Sequence, residues 1–211
     1  MTEIRHHLTE PQLVAYASGS LSYPFAMVVA AHVSMCAECR ARLGAHEVLG
    51  GAVMEDLPAE TVSDDLKDIV LARLDGMTEA APAPRRRGIY PGPVAEILHG
   101  EAPKWRSLGR GNRQAILHDG PDGSVRLLHI PPGQAVPDHG HNGLELTLVL
   151  QGSFADADET FGVGDVEVAD DAVEHTPVAG DEMPCICLAA TDAPLRFRGL
   201  VPRMLQPIFR I

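Results

Sequence analysis

The sequence predicts an α+β protein of two modules, a four-helix N-terminal part and an all-β barrel or sandwich. Three observations predict it. Apolar residues recur at helical spacing only before residue 78. The stretch "EAAPAPRRRGIYPGP" at 79–93 has no periodicity and is rich in proline, as linkers are. After it come short β-rich runs separated by Gly, Pro and Asp. The expected division is therefore 1–78 helical, 79–93 linker and 94–211 β, with each side folding on its own.

In the helical part, Thr9 and Gln12 form a capping box before "LVAYAS", and Gly19 supplies a stop. Ser22 can cap a second helix that takes Pro24 in its first turn and runs through "FAMVVAAHV". A third helix starts near Cys36 and carries Leu43, Val48 and Leu49, with Gly50 and Gly51 weakening its end. Ser63, followed by Asp64 and Asp65, caps a fourth, in which Leu66, Ile69, Val70 and Leu74 recur at helical spacing before Gly76. The expected strands are "RQAIL", "SVRLLHI", "LELTLVL", "DVEVA", "CICLAA" and "LRFRGL".

With 45% hydrophobic and 22% charged residues, the 211-residue chain is ordinary globular material. It has no run near the ~18 apolar residues of a membrane span. "MTEIRHHLTEPQ" lacks the apolar stretch of a secretory signal, so the expected location is the cytoplasm. There, close cysteine pairs more often bind metal than form disulfides. A net charge of −12 argues against direct nucleic-acid binding and suits a basic protein partner.

Two clusters carry chemistry. In "HVSMCAEC", His32, Cys36 and Cys39 follow an H-x3-C-x2-C spacing that suits tetrahedral zinc. Buried small side chains and a satisfied helix histidine would give the same letters. A redox CxxC would usually follow a strand in a βαβ unit, and that pattern is missing here. A closed site needs a fourth ligand, and His6 and His7 both lie where the chain can fold back. A helical module of this size gains only a few kcal/mol from its core, whereas structural zinc adds on the order of 10 kcal/mol.

The second cluster is "GQAVPDHGHNGLELTLVLQG". His139 and His141, two apart, share one face of an extended chain, and Glu145 can join them after the "NGL" turn. Gly133 and Gly152 suit the flanking turns, and His175 is the candidate fourth ligand. Three imidazoles and a carboxylate suit Zn, Mn, Fe or Ni. Cys185 and Cys187 sit two apart on an expected strand, as core residues or as a redox-responsive thiol pair. His46, His99, His118 and His129 fall outside both sets.

These motifs resemble two known families. The tandem histidine, the H-x3-C-x2-C spacing, the fourth helix and the linker are similar to the zinc-binding anti-sigma domain. That resemblance implies zinc on His7, His32, Cys36 and Cys39. The second cluster closely resembles the first cupin motif. Gly164 and His175 match the second, where Asp170, Ala172 and Ala179 stand in place of Pro, Gly and Asn, which weakens the case for catalysis. Together with "CICLAATDAPLRF" and "LQPIFRI", the whole chain resembles the ChrR family of anti-sigma factors. The resemblance implies a non-enzymatic regulator that holds an extracytoplasmic-function sigma factor and releases it on an oxidative signal, singlet oxygen or a related oxidant, sensed by a metal-bearing cupin. The competing class is a cupin dioxygenase or isomerase with an accessory zinc module.

Overall fold

The computed structural model describes residues 3–77, 85–136, 139–140, 143–156, 159–170, 174–193 and 196–197, with 139–140, 174–175 and 196–197 described through their backbone alone. Helix α1 spans Glu10–Ala17 and starts where the capping motif predicts: the Thr9 N–H donates to Gln12 Oε1 at 2.9 Å. Gly19, at φ +69, turns the chain out of it. Helix α2 spans Tyr23–Met35 with Pro24 in its first turn, and Ser22 holds the N-cap position without a cap bond from its hydroxyl.

Cys36 ends α2 and caps α3, Ala37–Glu55. Its backbone is extended there, and its thiol accepts from the Cys39 N–H at 3.4 Å. Gly50 and Gly51 do not stop α3, because an exposed helical glycine costs only about 1 kcal/mol. Helix α4 spans Leu66–Asp75, starting after Asp65 rather than at Ser63.

The expected linker is partly structured. Residues 79–84 lie outside the described residues, but Arg87 and Tyr90 form a β-bridge and Pro91 is buried. A fifth helix, α5, Gly92–Ile97, follows with Val94 and Ala95 buried. The four-helix expectation thus becomes five among the described residues. Pro93 in its first turn starts a helix as readily as proline breaks one, which a linker assignment overlooks.

The β part comprises β1 Arg106–Gly109, β2 Asn112–Gly120, β3 Gly123–Ile130, β4 His139–Gly140, β5 Glu145–Gln151 and β6 Phe154–Ala155. It continues with β7 Thr160–Phe161, β8 Val166–Ala169, β9 Glu174–His175, β10 Val178–Ala179, β11 Cys185–Thr191 and β12 Arg196–Phe197. The main sheet has the order β1-β2-β3-β11-β5-β8, beside two three-stranded sheets, β10-β6-β7 and β12-β4-β9. Among the described residues these sheets do not close into a barrel. Leu195 and residues 198–200 of the expected last strand lie outside the described residues.

The main sheet is buried on both faces. Leu127, Leu146, Leu148 and Leu188 point to one face and join Leu13, Phe25, Val28 and Val29 of the helices in a single core. Ile130, Val149, Phe154, Phe161, Cys185 and Cys187 form a second core on the other face. The first helices therefore share a core with the sheet: α2 lies against β3, β5 and β11. The physical cause is visible in β5 and β11, where six successive residues are buried. A sheet with one wet face would alternate instead.

Candidate metal centre

The end of α2, the start of α3 and the extended segment before α1 meet at one point. His32 occupies the last turn of α2 and is fully buried. Cys36, at the junction, and Cys39, one turn into α3, are buried beside it. Leu8, 1% exposed, anchors the N-terminal segment in the core and so brings His7 over the thiols. One ligand atom from each of His7, His32, Cys36 and Cys39 lies within 4.8 Å of all the others.

The donor geometry suits a tetrahedral ion. His7 Nδ1 lies 3.4 Å from Cys36 Sγ and 3.6 Å from Cys39 Sγ. A zinc ion with ordinary Zn–S and Zn–N lengths would separate its ligands by about 3.6 Å. His32 Nε2 is buried with no hydrogen-bond partner, while its Nδ1 sits 2.9 Å from the Gly164 carbonyl oxygen. His7 Nε2 lies 3.3 Å from Glu38 Oε2. Each imidazole thus has an outer partner on one nitrogen and the ion's position on the other, as metal-bound histidines do. These four residues could hold a metal ion.

Electrostatics agree. Burial pushes the His32 imidazole down to about 4, so it is neutral, and fit to be a ligand, near pH 7. Burial, with Cys36 beside it, pushes the Cys39 thiol up to about 11 in the metal-free protein. His6 is engaged elsewhere: its Nδ1 is 3.4 Å from Asp165 Oδ2 and its Nε2 is 3.7 Å from Glu159.

Less of the second cluster lies within the described residues. His139 pairs with His175 across β4 and β9. The side chains of both, and all of His141, lie outside the described residues. Glu145 is buried at the start of β5, where its Oε1 accepts from the Thr147 hydroxyl at 2.9 Å. Gln114 on β2, Arg126 on β3 and Glu167 on β8 are buried in the same sheet, and Arg126 Nη1 donates to Gln114 Oε1 at 3.1 Å. Sequence reasoning passed over these polar core residues, as it did Glu38, although Glu38 stands inside the C-A-E-C stretch. Cys185 and Cys187 are buried with their sulfurs 3.4 Å apart. The hydrogen bond with Cys185 and burial raise the Cys187 thiol well above its usual value, so it stays protonated. Of the remaining histidines, His46 bonds Glu10 at 2.7 Å, His118 bonds Asp122 at 3.0 Å, and His129 packs against Trp105.

Beyond the clasp, α3 and α4 leave the core. Every residue from Glu47 to Met77 is exposed, including Val48, Leu49, Met54, Ile69, Val70 and Leu74. No described helix is long and apolar enough to cross a membrane.

The chain is similar to known proteins. Residues 95–193 match the ChrR cupin-like domain. The chain is 53% identical over 212 residues to the anti-sigma-E factor ChrR of Cereibacter sphaeroides, covering 99% of both. It also resembles a chain in the crystal structure of Rhodobacter sphaeroides SigE in complex with the anti-sigma ChrR, at 50% identity and a TM-score of 0.80, covering 90% of this chain and 100% of that one. The chain belongs to the ChrR family of anti-sigma factors.

Proposed function

We infer that this chain is an anti-sigma factor that sequesters an extracytoplasmic-function sigma factor in the cytoplasm, in a 1:1 complex, and is not an enzyme. The full-length identity to a ChrR anti-sigma factor carries this conclusion. The exposed helices support it. A ten-residue helix with no buried side chain, such as α4, is marginal by itself in water. Its apolar face, with that of the second half of α3, needs a partner to cover it.

In this account residues 1–78 hold the sigma factor, 79–93 connect, and 94–211 form the cupin-like sensor. His7, His32, Cys36 and Cys39 hold zinc, whose chemistry here is that of a cross-link. It ties the N-terminal segment to the α2–α3 corner and so sets the direction in which α3 projects. A second divalent ion, zinc or else Mn, Fe or Ni, sits on His139, His141, Glu145 and His175. An oxidant such as singlet oxygen acting in the cupin promotes release of the sigma factor. Cys185 and Cys187 are candidate redox groups; the burial of both, and the protonated state of Cys187, mean that oxidation would first require the sheet to open.

The test is an Ile69→Asp, Val70→Asp double variant. Two charges placed on the apolar face should weaken sigma-factor binding at least about 100-fold, the loss of two modest hot spots. Circular dichroism and zinc content should stay as in the parent. Undiminished binding would remove α4 from the interface.

A further inference from the structure

The turn between β7 and β8, Gly162–Val166, belongs to the β part but touches the zinc clasp on two sides. The Asp165 carboxylate accepts from the Arg5 N–H at 2.6 Å and the His6 N–H at 2.9 Å through Oδ1. Its Oδ2 accepts from the Gly162 N–H at 2.8 Å, so one side chain shapes the turn and fastens the N-terminal segment. The Val166 N–H donates back to the His6 carbonyl at 3.2 Å. The carbonyl of Gly164 meets His32 Nδ1. Gly164 has φ +97, and a Cβ on it would lie 2.6 Å from Ile4 Cδ1, so only glycine lets the segment lie this close. His7 and His32, the two imidazoles of the clasp, are thus each placed from the same five-residue turn.

The same turn is bound to the strand of a candidate cupin ligand. The Gly164 N–H donates to the Val149 carbonyl at 2.9 Å, and the Val149 N–H donates to the Asp165 carbonyl at 3.1 Å. Val149 lies on β5, four residues from Glu145, and β8 continues from the turn in register with β5, Glu145 opposite Ala169.

We propose that Gly164 and Asp165 are positioning residues for the zinc clasp, a latch through which the β module governs how tightly the helical module keeps its metal. The Gly164 carbonyl fixes the tautomer and ring plane of His32, and Asp165 holds the main chain one residue ahead of His7. A shift of β5 and β8 would disturb both imidazoles together and leave the two thiolates in place. The proposal rests on the assignment of the clasp as a metal site.

Cobalt-substituted full-length protein tests both, because thiolate-to-cobalt absorption reports the site that contains Cys36 and Cys39. Release of cobalt to an excess of chelator should be about 10–100-fold faster in Asp165→Ala and Gly164→Ala, the usual range for loss of an outer partner. Asp165→Asn, whose carbonyl oxygen still accepts from Arg5 and His6, should recover most of the retention. Ile130→Val, in the core on the far face of the sheet, should lose thermal stability without changing the release rate. Parent-like release from both latch variants overturns the proposal. So does acceleration in Ile130→Val equal to theirs, since general loss of stability would then explain it. A parent protein with no thiolate band, unchanged when Cys36 and Cys39 are replaced by alanine, would instead refute the clasp itself.

Discussion

Cys39 and His32 titrate on opposite sides of neutrality in the metal-free protein, at about 11 and about 4. Between pH 6 and 8 an entering zinc ion must therefore displace a proton from Cys39 but none from His32. Protons compete with the metal for the thiol, so apparent zinc affinity should rise about tenfold per pH unit from this group alone. Competition titrations at pH 6, 7 and 8 check the sign, and an affinity flat over that range contradicts it. The H-x3-C-x2-C spacing made three of these residues legible, because one helix end and one helix start place them together. Choosing His7 over His6 needed a family resemblance, since adjacent residues in an extended segment differ only in which side they face. Nothing local could reveal Gly164 or Asp165 as neighbours of the clasp: His32 and its carbonyl partner are 132 residues apart.

Elements with strong local signals were legible and short ones were not. The Thr9–Gln12 motif and the Pro24 start place α1 and α2, whereas β1 carries no alternation and α5 hides among prolines. The larger omission concerned faces rather than boundaries. In "LELTLVL", read from the sequence only as a strand, Leu146, Leu148 and Leu150 face the helices, and Glu145, Thr147 and Val149 form the other buried side. Leu148→Ala should accordingly cost about 2–5 kcal/mol, the range for a fully buried leucine. Because Leu148 shares its core with α2, the loss should appear equally in helical and sheet signals during urea unfolding. A change confined to sheet signals would argue that the helices keep their own core.

For the whole molecule, two modules joined by a flexible linker and one body with two cores predict different behaviour. The composition and the proline-rich break suggested the first, because linker chemistry is visible in sequence and a shared interface is not. The apolar contacts between α2 and the sheet predict one cooperative transition in the zinc-loaded protein, seen alike by circular dichroism and by Trp105 fluorescence. Two separated transitions would restore the independent modules. The outward face of the same body is the unpaired surface of α3 and α4, and the account turns on what covers it. The most direct measurement is transcription by purified RNA polymerase and an extracytoplasmic-function sigma factor, from a promoter of that sigma factor, as this protein is added. The account predicts stoichiometric inhibition by zinc-loaded protein and loss of inhibition when Cys36 and Cys39 are both replaced by alanine. Transcription unaffected by an excess of the zinc-loaded protein would contradict it.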